Sequence, residues 1–249
     1  MWTWIERAST LLVVVVALFV AWNTLGWEVI DIPSEPVSLE GAETIGDPGA
    51  PVVLVVHSDF ECPYCRRFAL ETWPTLKREF VDTGVMLGAF RHLPLDIHAN
   101  AKTAAEAAAC AGRQGLFWQM HDRQFAAKAK LETAGVVSLA EGLGLDMSQF
   151  RKCLEGEELS AKIRDEVTSA AALGIRSTPT ILIGRNDGQK HVVVSALLAG
   201  AKPVAAFRDA IETARTPPST YYGVGSVASV IALGGFWFIS RNRKKPNKN

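Results

Sequence analysis

Three hydrophobic patterns follow one another along this chain: uncharged runs at both ends, short β-branched runs, and apolar residues at helical spacing between them. The unbroken run Val52 to Val56, set between Pro51 and a polar patch, predicts a strand buried on both faces. From Pro63 to about Phe80, the residues Phe68, Leu70, Trp73, Leu76 and Phe80 recur at helical spacing. Pro63 suits a first helical turn, where its missing N–H is not needed, and Pro74 should kink the helix. Gly84 to Leu93 alternates well enough for a second strand. Strand, helix and strand in that order predict a parallel crossover unit, and the fold class is α/β.

Residues 98–174 read as helical. Periodicity is carried by Ala-rich 101–111, by Leu116 to Lys130, by Asp146 to Leu154 and by Glu157 to Leu173, with glycines between. Thr180 to Ile183 and His191 to Val194 then predict two strands around a turn containing Asn186, Asp187 and Gly188. Pro203 opens a last amphipathic helix that runs to about Ala214. Residues 28–50, rich in Pro, Gly and acids, read as a linker that ends in a turn.

Charge changes the picture most at the ends. No charge falls between Arg7 and Glu28, and the apolar run Leu11 to Ala21 lies inside that stretch. At about 1.5 Å per helical residue such a stretch matches a hydrocarbon core of roughly 30 Å. It reads as an anchor, with a cleaved signal segment as the alternative. A second uncharged stretch runs from Thr216 to Ser240 and is followed by Arg241, Arg243, Lys244, Lys245 and Lys248, which should stay in the cytoplasm. Both termini are then cytoplasmic, and the residues between the two helices lie outside the cell membrane, tethered to the bilayer. With 26 basic and 26 acidic residues, the chain lacks the electrostatic footprint of a nucleic-acid partner. At 48% hydrophobic and 21% charged, it is not a disordered polymer.

The candidate chemistry lies in Phe60-Glu61-Cys62-Pro63-Tyr64-Cys65-Arg66, where a buried strand gives way to a helix. A cysteine just before a helix faces unpaired backbone N–H groups, which favour its thiolate, so Cys62 is the candidate reactive thiol. Cys65, one turn further in, is within reach of an internal disulfide and should be more buried. A zinc site would need a second ligand pair at matching spacing, which neither Cys110 with Cys153 nor the five histidines provides. A purely structural disulfide is the other alternative. At Ser177-Thr178-Pro179-Thr180, a proline directly before a strand suggests a cis bond.

Together these motifs resemble the thioredoxin superfamily, in which a cis-proline loop packs opposite a two-cysteine motif and pairs with the substrate backbone. The resemblance implies that Thr178 and Pro179, with Pro63 and Tyr64, line a substrate site. Cys62 and Pro179 lie 117 residues apart (179 − 62), which is similar to the DsbA-like branch with its helical insertion. So are Asp59 to Cys65, Phe90-Arg91-His92-Leu93-Pro94-Leu95, and Gln114 to Trp118 with His121-Asp122. The implied organisation is an anchor or signal segment over 1–27 and a linker over 28–50. A thioredoxin-like domain follows over 51–97 and 175–215, interrupted by helices over 98–174. A membrane helix over 216–240 and a basic tail over 241–249 complete it. Where related proteins bury a carboxylate six residues before the first cysteine, this chain has Val56, which leaves open whether His57 substitutes.

Cys110 and Cys153 are expected to form a structural disulfide, two free buried thiols being the alternative. His92, His98 and His121 read as structural, because dithiol exchange requires no imidazole base. The resemblance implies a thiol–disulfide oxidoreductase that needs no cofactor. It would donate disulfides to exported cysteine-containing proteins and be reoxidised by a membrane quinone-linked thiol oxidase. A reductase or isomerase of the same fold, and a tethered binding module or chaperone that keeps the pair as a staple, are the competing readings.

Overall fold

The computed structural model describes residues 31–127 and 131–216, and the account below concerns the unit that ends at Arg215. The expected anchor over 1–27, the stretch beyond Thr216 and the basic tail lie outside the described residues. Among those described, no helix is long and apolar enough to cross a membrane.

The buried run at the start of the domain forms β3 (Val52–Ser58), every residue of which is buried. It pairs in parallel with β4 (Met86–His92) on one side and antiparallel with β5 (Thr180–Asn186) on the other. β6 (His191–Ala199) continues the sheet beside β5. Within the expected linker, Val37–Ser38 forms β1 on β6 and Glu43–Ile45 forms β2 on β4. The six-stranded order is therefore β1-β6-β5-β3-β4-β2, and the sheet starts before Pro51, a correction to the linker reading of 28–50. These two edge strands are two and three residues long. They are held by pairing with distant strands rather than by any local pattern.

The crossover between β3 and β4 is α1, which runs as Pro63–Arg67, Phe68–Thr72, Trp73–Leu76 and Lys77–Val81. The second and fourth segments have π geometry. Pro74 is the second residue of the third segment, just after a π segment, so the missing donor is absorbed by a local widening of the helix. Between β4 and β5 stand α2 (Ala101–Gly112), α3 (Phe117–Ala126), α4 (Thr133–Gly142), α5 (Met147–Glu155) and α6 (Glu157–Ala172). Of these, α4 has no counterpart among the expected helices, and α3 ends at Ala126 rather than near Lys130. The last helix, α7 (Val204–Arg215), packs on β5 and β6.

Alternation along β3 divides the core. Val52, Leu54 and Val56 join Cys62, Cys65, Trp73, Phe90 and Phe207 on one face, while Val53 and Val55 join Leu87, Ala170 and Leu182 on the other. Gly88 lets Trp73 lie flat on the sheet, since a Cβ at that position would meet the indole at 2.6 Å. On the second face, Arg91 reaches Glu166 of α6 at 3.3 Å, and the Glu166 carboxylate also accepts the His92 N–H, tying the helical insertion to β4.

Candidate active site

After Ser58 the chain leaves the sheet and turns within four residues, the Cys62 N–H donating to the Asp59 carbonyl at 3.2 Å. Cys62 is the N-cap of α1, with extended backbone (φ −70°, ψ 123°), and no side chain caps the helix. Its sulfur thus occupies the place of a capping oxygen, facing backbone N–H groups that have no partner within the helix. Phe60 pegs this turn into the core, stacked on Phe90 with centroids 5.4 Å apart and against Phe125 at 4.9 Å.

Both cysteines of the pair are free and buried. The Cys62 thiol donates to the Thr178 carbonyl at 3.4 Å, so 116 residues of chain return to within contact of it. The Thr178–Pro179 bond is cis and brings the start of β5 opposite the head of α1. Pro63 and Tyr64 stand exposed beside the buried sulfurs, Tyr64 at 59%. Cys65 is fully buried, and its sulfur accepts the Asp59 N–H at 3.5 Å.

The two sulfurs have opposite electrostatics. The Cys62 pKa is lowered to about 5, chiefly because the Cys65 thiol donates to its anion; burial opposes this, and the Thr178 side chain and the Cys65 and Tyr64 amides add to it. The expectation gave the helix-end amides first place, whereas the neighbouring thiol outranks them. Burial, followed by the bond to Cys62, pushes the Cys65 pKa up. The functions of Thr178 pull in opposite directions: its carbonyl favours the thiol, and its side chain favours the thiolate. Its hydroxyl oxygen is buried without a hydrogen-bond partner in the reduced geometry, so it is available to the anion.

His57 does not stand in for the missing carboxylate. It follows Val53 and Val55 onto the far face of the sheet, where it lines a cavity of about 1280 Å³ with Arg91 and Glu166. The buried carboxylate near the pair belongs instead to Asp59, three residues before Cys62, whose role the sequence reasoning missed although it quoted the residue. Away from this site, Cys110 of α2 and Cys153 of α5 are joined in a disulfide with Cα atoms 5.8 Å apart. His92 and His121 are buried among Phe60, Phe90 and Phe117.

An α/β sheet with a two-cysteine helix head facing a cis-proline loop defines a thioredoxin-like redox domain. A family model described as Thioredoxin matches residues 38–199, more than half of the chain, and the chain belongs to that family. Alpha-DsbA1 of Wolbachia pipientis superposes with a TM-score of 0.64 at 25% identity, over 72% of this chain and 93% of that one. DsbA2 of Pseudomonas aeruginosa superposes with a TM-score of 0.55 at 29% identity, over 74% and 96%. These likenesses put the chain in the DsbA-like branch of the superfamily. The Na(+)/H(+) antiporter NhaA 1 of Salinispora arenicola is 36% identical over 157 residues, which are 63% of this chain and 23% of that protein. The chain thus matches about a quarter of the length of these curated relatives.

Proposed function

We propose that the chain is a thiol–disulfide oxidoreductase that donates disulfides through Cys62 and Cys65. The observation that carries this reading is the split between the sulfurs, one an easily formed anion beside an exposed surface and the other buried and held as a thiol. In the oxidised enzyme a substrate thiolate attacks the Cys62 sulfur, the Cys62–Cys65 bond breaks, and Cys65 takes up a proton. A second substrate thiolate then attacks the substrate sulfur of the mixed disulfide and expels Cys62 as thiolate, so two electrons pass from substrate to enzyme. Stabilising that thiolate makes Cys62 a good leaving group and makes the enzyme disulfide oxidising.

Exported cysteine-containing proteins are the proposed substrates and a membrane quinone-linked thiol oxidase the proposed reoxidant. The proposed location is the outer side of the cell membrane, with anchors over 1–27 and 216–240 and both termini cytoplasmic. The uncharged end segments and the basic tail support this topology, and a disulfide between Cys110 and Cys153 is consistent with an oxidising compartment. Ion transport is not carried over from the antiporters, since the match takes in only about a quarter of their length. Equilibration with glutathione buffers tests the reading. A donor stays mostly reduced in buffers that oxidise thioredoxin-like reductants, and the purified chain oxidises a reduced, unfolded substrate stoichiometrically. A pair that remains oxidised in strongly reducing buffer would assign the fold to a reductase or a structural staple instead.

A further inference from the structure

All the polar groups of Asp59 are bonded, and they tie the two cysteines to a histidine. Its N–H donates to the Cys65 sulfur at 3.5 Å, and its carbonyl accepts the Cys62 N–H at 3.2 Å. One carboxylate oxygen accepts the Glu61 N–H at 2.8 Å. The other accepts the Leu95 N–H at 2.8 Å and meets Nδ1 of His98 at 2.7 Å. The Asp59 side chain is fully buried, while that of His98 keeps 19% exposure, enough to exchange protons with solvent. A buried carboxylate of this kind needs a charged or well-donating partner.

Residues 93–100, which carry His98, contain no helix or strand and are fastened to the redox turn. Besides the bonds to Asp59, the Asn100 N–H and side-chain amide both donate to the Glu61 carboxylate, at 2.5 and 2.8 Å. The charged groups acting on His98 are Asp59 and Glu61 of the turn and Cys62 at the head of α1, and all are acidic.

We propose that His98 is a positioning residue of the exchange reaction, a proton site coupled to the redox state of Cys62 and Cys65 through Asp59. The proposal rests on the disulfide-donating reading. When a substrate dithiol reduces the pair, the S–S bond of the enzyme breaks and that of the substrate forms. Of the two protons released, one ends on Cys65 and one on His98, leaving Cys62 as thiolate beside an imidazolium. Reoxidation removes the thiolate and releases the His98 proton. Burial alone would favour neutral His98, but the Asp59 bond and charge, then Cys62 and Glu61, override it and raise its pKa. Because the Cys62 charge exists only in the reduced state, the coupling is reciprocal: the thiolate holds the proton on His98, and the imidazolium favours the thiolate.

Titrating the His98 ring by NMR in oxidised protein, reduced protein and reduced Cys62→Ser tests this. The midpoint should be higher in reduced wild type than in the other two, which should agree; one midpoint in all three would overturn the proposal. A second measurement uses His98→Gln, which can still donate to Asp59 but carries no charge. Followed by thiolate absorbance, the acid constant of Cys62 should fall about threefold to tenfold at unchanged thermal stability. An unchanged thiolate titration in a folded His98→Gln protein would also overturn it. Neither measurement needs turnover. A donor whose His98 ignores the redox state defeats this inference alone, whereas a coupled His98 in a chain that oxidises no substrate defeats the functional reading alone.

Discussion

The chain holds two cysteine pairs, and they differ in everything except their atoms. Cys110 and Cys153 are closed in a disulfide between α2 and α5, with Cys110 set among the packed alanines of α2. Cys62 and Cys65 are open, at the end of one helix, where one sulfur meets backbone amides, a thiol and Thr178 while the other is sunk in the core against the Asp59 N–H, the Ser58 side chain and Cys62 itself. Reactivity follows from this asymmetry rather than from burial, since Cys62 is itself only 5% exposed. What distinguishes Cys62 is that its anion has donors and that Pro63 and Tyr64 open onto solvent beside it.

The sharpest break in this comparison is a pair of substitutions with opposite consequences. Cys62→Ser should reduce substrate oxidation to background while leaving the fold intact, as read by a turnover assay and circular dichroism. Cys110→Ala with Cys153→Ala should leave oxidation largely intact. It should lower unfolding free energy by about 4 kcal/mol, the loop-closure value for the 43-residue separation, as read by denaturant titration. Activity lost with the second pair, or retained without Cys62, would reverse the roles assigned here.

Acidity separates the pairs next. The folded-state pKa of Cys62 lies at about 5, below the ordinary 9.0, so its thiolate stabilises the reduced protein fully above pH 9 and loses that effect as pH falls through 5. The oxidised form has no such group. The buried His57 and His92, held neutral by desolvation, titrate in both redox forms and cancel in the difference, whereas His98, with its higher midpoint in the reduced form, opposes the thiolate between its two midpoints. Unfolding free energies of reduced and oxidised protein, measured from pH 5 to pH 8, should therefore diverge in favour of the reduced form as pH rises. Parallel curves in the His98→Gln protein, where no histidine proton offsets the thiolate, would mean an ordinary thiol at position 62.

What the sequence revealed, and what it hid, follows the range of the interactions. The Val52 to Val56 run, the helix opened by Pro63 and the proline before Thr180 are local signals, and they sufficed for the central strands and both halves of the site. The edge strands stayed hidden because Val37 is held by Val192 and Glu43 by Phe90, partners that no nearby pattern announces. Helix α4 buries only Val136 and Ala140 and carries Gly135 in its first turn, so its periodicity is faint. His98 reads as structural from the sequence because dithiol exchange requires no imidazole base, and its partner Asp59, 39 residues upstream, gives no local signal to the contrary. The available signal was an acid placed directly after a strand buried on both faces, where an unpaired carboxylate could not remain.

The finest test of the comparison concerns Thr178, which faces Cys62 from the cis-proline loop. Thr178 offers its carbonyl to the thiol at 3.4 Å and holds a buried hydroxyl oxygen with no partner. Thr178→Val keeps the shape of the side chain and the carbonyl but removes the hydroxyl, so the thiol form keeps its acceptor and the thiolate loses a donor. The Cys62 pKa should therefore rise, by about one pH unit or less, since one donor of several is lost. Thiolate absorbance against pH measures it, and the same substitution should make the enzyme disulfide less oxidising in glutathione equilibration. Stability of the oxidised protein should stay the same or improve slightly, because an unsatisfied buried oxygen has been replaced by a methyl group. An unchanged Cys62 pKa in Thr178→Val would show the carbonyl, not the hydroxyl, to be the governing contact.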